Sequence, residues 1–208
     1  MRAAPFRCRL VIMVKAPKVG QVKTRLARQI GPVRAAWFYR NTAAAVIARL
    51  SGSRCWETVL AVAPDAAVNQ PFWPTGVRRM AQGGGDLGQR MQRAIGRQPR
   101  GPVIIVGTDI PAIRPSHIAA AFRALGGHDA VFGPAADGGY WLVGQRRRPR
   151  ELPMFRHVRW SSPEALSDTL ANLRGRRVAF VAMLNDVDES EDFRSVAAWC
   201  GRRVLPVR

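Results

Sequence analysis

Lysine is almost missing from this chain. Three lysines stand against thirty arginines, and all three (Lys15, Lys18, Lys23) fall within nine residues. Cysteine is scarce as well. Cys8, Cys55 and Cys200 are odd in number and lack the spacing of a disulfide framework or a zinc site, so a reduced compartment fits. No apolar run approaches the roughly 20 residues of a membrane span. The apolar run that follows Arg2, Arg7 and Arg9 is five residues long, too short for the core of a signal peptide. A soluble cytoplasmic protein is therefore expected. His117, His128 and His157 are isolated, and no Ser-His-Asp or Cys-His arrangement is visible, which argues against a protein nucleophile. Internal repeats and low-complexity segments are also lacking.

Acidic residues are few: 14 against 33 basic ones, a net charge of +19. Such a balance suits anionic ligands, acidic surfaces or nucleic acid. The arginines are dispersed along the sequence, however, and no helix collects them on one face. There is no zinc-finger spacing and no aromatic-studded sheet motif of RNA binders. Most of the charge thus reads as surface character, with no nucleic-acid partner expected. A non-catalytic protein that binds nucleic acid or a membrane surface stays as a third reading behind two enzymatic ones. The apolar share of 47% and a length of 208 residues predict one globular domain spanning residues 1–208.

What is present is organised around residues 10–26. Leu10-Val11-Ile12-Met13-Val14 reads as a buried strand. Pro17 and Gly20 turn it into a loop that carries all three lysines and leads, beside Arg25, into a helix start. Positive charge at the carboxyl end of a first strand suits phosphate groups. The loop is not a Walker A loop, because Gly20-Gln21-Val22-Lys23-Thr24 lacks the glycine directly before lysine. A solvated basic turn is the bland alternative.

Further along, Pro32–Leu50 reads as a long helix whose apolar face includes Ala35, Trp37, Phe38, Ala43, Val46, Ile47 and Leu50. Strands are expected over 58–63 and 77–81. Gln82-Gly83-Gly84-Gly85-Asp86 follows, where glycines let backbone approach a flat ligand. Asp86 and Gln89 also have the spacing of a capping box, and the two roles are compatible. Val103–Val106 is the clearest buried strand, and it runs into Gly107-Thr108-Asp109-Ile110-Pro111. Pro115 makes the better helix start, which leaves Asp109 available to a cation.

The last third holds a strand over 130–132 and Asp137-Gly138, a hairpin-turn signal in its own right. Tyr140 and Trp141 after it suit packing more often than a substrate platform. A helix over 161–173 and a strand over 178–183 precede five carboxylates in seven residues, Asp186 to Asp192. Asp186 or Asp188 could join Asp109 around a hard cation, Mg²⁺ or Mn²⁺ and not zinc.

Four motifs in this order resemble the nucleotide-diphospho-sugar transferase superfamily. They are Lys15-Ala16-Pro17 with Lys23-Thr24-Arg25-Leu26, Gly85-Asp86-Leu87-Gly88, Gly107-Thr108-Asp109-Ile110-Pro111 and Asp137-Gly138-Gly139-Tyr140. The nearer likeness is to a bacterial family of uncharacterised glycosyltransferase-like proteins linked by name to arsenosugar biosynthesis, similar in turn to phospholactate guanylyltransferases. The resemblance runs from about Arg9 to Ala198. It implies a GT-A fold, a three-layer α/β/α Rossmann-like arrangement with a mostly parallel mixed sheet and helices on both faces. It also implies roles: Lys15, Lys23 and Arg25 on nucleotide phosphates, with Ala16, Pro17, Gly20 and Thr24 in the same loop. Gln82, Gly83, Gly84, Gly85 and Asp86 would approach the base. Asp109 and Asp188 would hold the metal, and Asp137, Gly138, Gly139 and Tyr140 would face acceptor or sugar. One departure favours nucleotidyl over glycosyl transfer. Glycosyltransferases of this fold carry Asp-x-Asp at the metal strand, whereas Asp109 stands alone beside a lysine-bearing loop suited to a triphosphate. The expected substrates are a nucleoside triphosphate, or else a nucleotide sugar, and a small anionic acceptor.

Overall fold

The computed structural model describes residues 7–147 and 150–184. Asp186, Asp188 and the helix expected after them lie outside the described residues.

Seven strands form one sheet: β1 (Cys8–Lys15), β2 (Trp56–Ala63), β3 (Arg78–Ala81), β4 (Val103–Val106), β5 (Ala130–Pro134), β6 (Tyr140–Gln145) and β7 (Val178–Phe180). Their order is β3-β2-β1-β4-β6-β5-β7. The first four run parallel, β6 is antiparallel to β4 and β5, and β7 is parallel to β5. Among the described residues there are five α-helices: α1 (Thr24–Ile30), α2 (Pro32–Ser51), α3 (Leu87–Gly96), α4 (Pro115–Ala124) and α5 (Ala165–Ala171), with α1 packed on α2.

Alternation along β1 divides the core. Leu10, Ile12 and Val14 pack with Val46, Ile47, Leu50 and Ile118, from α2 and α4. Val11 and Met13 face the other way, among Met91, Ala94, Ile95, Leu166 and Leu170 of α3 and α5. A strand of period two buried on both faces needs helices on both sides, so the expected three-layer α/β arrangement with a mixed, mostly parallel sheet is the observed one.

Several local expectations shift. The helix that starts beside Arg25, as expected, is short: Gly31, at φ 87°, separates α1 from α2. Trp37 was expected on the apolar face of α2 but is 38% exposed, and Tyr39 is buried instead. α5 begins at Ala165, not in the Ser161–Glu164 turn. Ser162 Oγ there accepts weakly from the Glu164 N–H at 3.4 Å and donates to the Arg159 carbonyl. β7 stops at Phe180, and the chain beyond it stays bonded to β5 through Val181 N–H to the Phe132 carbonyl and Leu184 N–H to the Pro134 carbonyl.

This topology places the segments that follow β1, β2, β3, β4, β5 and β7 at one edge of the sheet, together with the start of β6. In an open α/β sheet that carboxyl edge is where ligands sit.

Candidate functional site

α2 positions the first two motifs relative to each other. The Tyr39 hydroxyl oxygen accepts from the Lys15 backbone N–H at 2.8 Å and from Thr108 Oγ1 at 3.3 Å. It therefore ties the end of β1 to the segment after β4. Burial, reinforced by the negative charge of Asp109, pushes the Tyr39 phenol up to about 12. One turn from the other end of α2, Arg49 Nη1 donates to the carbonyls of Pro111 and Ile113, both at 2.7 Å. Thr108 and Ile110 are buried on either side of Asp109, so the segment 107–113 is held from below and from the side.

Against this frame the lysine loop closes. Lys23 Nζ lies 3.3 Å from Asp109 Oδ1, with the lysine side chain 7% exposed and the carboxylate 48% exposed. Lys23 holds the left-handed conformation, φ 47° and ψ 49°, and its carbonyl accepts from Ala27 N–H. A lysine there costs roughly 1–2 kcal/mol, which the Asp109 contact helps to offset. The loop thus aims a desolvated ammonium at the one carboxylate that β4 carries to the edge. Arg25 and Thr24 lie exposed in the first turn of α1, and Gly20 makes the loop turn at φ 77°. Ala16 is buried and Pro17 half-buried.

Beside Lys15 opens a cleft of about 410 Å³, lined by Lys15, Ala16, Gln21, Asp65, Gly83, Gly84 and Arg90 among others. The glycine loop is held from two sides. Asp65 Oδ1 accepts from the Gly83 N–H at 3.0 Å. On the other side Arg93 donates to the carbonyls of Gln82 and Gly84, and Arg90 Nε to that of Gly85. Gly83 has φ 77°, and a Cβ there would meet the Arg93 guanidinium at 2.6 Å. Asp86 caps α3 in a full capping box with Gln89, as its spacing predicts. Gln82 serves a different end from the one expected. Its side chain is buried, and its amide donates to the carbonyls of Val14 and Ala61, so those donors brace strand ends.

The 135–139 turn reaches the same edge by another route. Asp137 Oδ1 accepts from Gly139 N–H at 2.9 Å. The carbonyl of Gly138, a residue at φ 82°, accepts from the Leu166 N–H, and a Cβ on it would lie 2.1 Å from the Pro163 carbonyl oxygen. The hairpin expected here therefore forms, with its tip pressed on the turn before α5. Tyr140 is taken up by packing: its ring meets Phe132 and Trp160 edge-on, and its hydroxyl pairs with Thr169 Oγ1 at 3.3 Å. Burial raises the Tyr140 phenol well above its ordinary value. That arrangement is a structural use of a residue expected at the acceptor.

The structure thus brings together Lys15, Lys23, Asp109 and the glycine loop at the carboxyl edge. Among the described residues no three His, Cys, Asp or Glu side chains group as metal ligands. Asp109 still fits a hard divalent ion, since Mg²⁺ keeps several waters and needs one or two carboxylates plus substrate phosphate oxygens. Tyr39, Asp65, Arg90 and Arg93 were missed by sequence reasoning. Only Pro64-Asp65 directly after a strand, and arginines three apart behind a glycine run, carried any signal for them.

Known structures share this arrangement. A protein from Desulfovibrio desulfuricans G20, provisionally described as a nucleotide-diphospho-sugar transferase, superposes with a TM-score of 0.84 at 28% identity, over 94% of this chain and 88% of that one. The 4-diphosphocytidyl-2C-methyl-D-erythritol synthase of Anaerococcus prevotii DSM 20548 gives 0.63 at 10% identity, over 95% and 97%. Rv0371c of Mycobacterium tuberculosis H37Rv, solved in complex with manganese, gives 0.57 at 16% identity, over 94% and 100%. The last two share the fold. No curated protein matches the sequence. The pattern of a bacterial family described as "Uncharacterized protein conserved in bacteria (DUF2064)" matches residues 46–162, and the chain belongs to that family.

Proposed function

We propose that this protein is a metal-dependent transferase that uses an activated nucleotide, moving a nucleotidyl group from a nucleoside triphosphate to a small phosphorylated or otherwise anionic acceptor and releasing pyrophosphate. The observation that carries the reading is the 3.3 Å contact between Lys23 Nζ and Asp109 Oδ1, at the same sheet edge as the cleft lined by Lys15, Gly83 and Gly84. A buried ammonium and a half-exposed carboxylate at the carboxyl edge suit a phosphate chain and its counter-ion.

In this mechanism an acceptor oxygen attacks the α-phosphorus while the bond from that phosphorus to the bridging oxygen breaks, and pyrophosphate departs. Lys15, Lys23 and Arg25 hold the phosphates and offset charge gathering on the leaving group. The Gly83–Gly85 backbone leaves room for the base, and Asp65 fixes that loop through Gly83. The Asp137–Gly139 turn borders the acceptor. Asp109, with Asp188 as second ligand, would hold Mg²⁺ or Mn²⁺, which when bound supplies positive charge to the reacting phosphate. Positioning and charge carry such chemistry, so no protein nucleophile is required. The manganese in the Rv0371c structure supports a divalent ion in this fold.

Glycosyl transfer from a nucleotide sugar is the second reading, supported by the description of the Desulfovibrio protein. The two separate on products. Incubation with each nucleoside triphosphate, Mg²⁺ and small phosphorylated acceptors should release pyrophosphate. Release of a nucleoside diphosphate from a sugar nucleotide, with no pyrophosphate in any mixture, would reverse the order.

A further inference from the structure

The opposite edge of the sheet is cationic as well, and its cations are all arginine. Arginines that are far apart in sequence meet there because strand beginnings, and the end of the antiparallel β6, converge. Arg7 and Arg54 stand at the starts of β1 and β2, Arg100 before β4, Arg146 after β6, and Arg176 and Arg177 before β7. Hydrogen bonds knit these segments into one rim. The Arg9 N–H bonds the Pro102 carbonyl, the Arg146 N–H bonds the Asp129 carbonyl, and the Asp129 N–H bonds the Arg177 carbonyl. Arg147 reaches across from β6 to the carbonyls of Gln98 and Pro99. Glu151 and Arg9 both lie close enough to Arg147 to act on its charge, the carboxylate favouring it and the second guanidinium opposing it.

The carboxylates of the rim are already engaged. Glu57 pairs with Arg9 and Arg78, Asp129 Oδ2 accepts from the Arg177 N–H, and Glu151 accepts from Gln92. The arginines of the rim still outnumber these carboxylates, so among the described residues its net charge stays positive. Six adjacent strands at about 4.8 Å spacing make this row roughly 24 Å long.

We propose that this rim is a second binding site, for the phosphodiester backbone of a nucleic-acid duplex, independent of sequence and separate from the cleft. Two observations select that partner. The cations are all arginine, whose planar fork takes phosphate oxygens in pairs. Among the described residues Phe180 of β7 is the one exposed large apolar side chain within three residues of a rim arginine, so the rim offers no apolar cluster for insertion into a bilayer. For the same reason it lacks the aromatic platforms on which single strands stack. Duplex binding through phosphates needs neither.

The test uses the full chain and a fluorescent DNA duplex of about 24 base pairs, titrated at several salt concentrations. Neutralising about five phosphates predicts a log–log salt slope near −4.5, hence roughly 500-fold weaker binding at 200 mM than at 50 mM salt. The triple variant Arg54→Ser/Arg100→Ser/Arg176→Ser should bind at least about tenfold more weakly, with the slope reduced by about two to three units. The matching triple lysine variant, which keeps the charge, should recover most of that loss. Pyrophosphate release should be unchanged in both. Absence of duplex binding at 50 mM salt would overturn the proposal. So would an unaltered slope in the serine variant, loss of duplex binding in Lys15→Ser/Lys23→Ser alone, or phosphatidylserine vesicles that displace the duplex.

Discussion

The two edges of this sheet are both cationic, and they are built on opposite plans. At the carboxyl edge the cations are few, and their surroundings fix each one. Lys23 is buried against Asp109, and the backbone of Lys15 is pinned by Tyr39. Arg90 and Arg93 are spent on carbonyls of the glycine loop. At the amino edge the arginines are many and mostly exposed, gathered by topology and not by individual contacts. The difference separates a preorganised site from a field. In the first, a single atom matters because nothing can replace it. In the second, charge is shared and any one residue is expendable.

That contrast yields ordered expectations. The largest effect should come from Lys23→Ala or Asp109→Asn, each lowering pyrophosphate release by about 10²–10³-fold while the melting temperature barely changes. A drop of tenfold or less in both would place the chemistry elsewhere. Next comes a residue at the same edge whose role is structural. Gly138→Ala must adopt φ 82° and press a methyl on the Pro163 carbonyl, so stability measured by denaturant unfolding should fall by about 3 kcal/mol or more. Tyr39→Phe leaves the Lys15 N–H and the Thr108 hydroxyl without their shared acceptor. It should cost about 1–2 kcal/mol and slow turnover several-fold, by loosening the register between loop and Asp109.

A fourth expectation needs no substitution. The chain has two tyrosines, and both have raised phenol values in the fold, Tyr39 to about 12. Raised values mean the fold favours the neutral phenol. The associated stability is present below pH ~10 and is lost as pH rises toward 12 and beyond. Tyrosinate absorbance should therefore stay flat through pH 10–11 and appear together with unfolding. A smooth titration centred near 10 would show that these hydroxyls are not buried in solution. The smallest effect belongs to the amino edge: Arg176→Ser alone should shift stability by less than about 0.5 kcal/mol and leave turnover unchanged.

The sequence was most informative where local chemistry decides structure. Val103–Val106 is an uninterrupted apolar run, and the strand has those bounds. Asp86 with Gln89, Pro115 and Asp137-Gly138 each encode a cap or turn within four residues, and each forms. The meeting of Lys23 with Asp109 was expected in outline, since parallel strands of an open sheet deliver their following loops to one edge. Features decided by distant packing were hidden. Tyr39 reads as one more residue of an amphipathic helix until β1 and β4 lie side by side beneath it. Gln82 reads as a polar loop residue until its amide turns back onto the carbonyls of Val14 and Ala61. The arginine rim is invisible in the chain for the same reason: five strand ends contribute to it, and no single segment carries more than two of its cations.

The most direct test of the central claim is calorimetric titration of the full chain with each nucleoside triphosphate, in the presence and absence of Mg²⁺, alongside Lys23→Ala and Asp109→Asn. The account predicts that at least one triphosphate binds the native protein with Mg²⁺-enhanced affinity. Lys23→Ala should lose most of that binding, and Asp109→Asn should lose its dependence on the metal. Triphosphate binding of equal strength in all three proteins, with or without Mg²⁺, would contradict it.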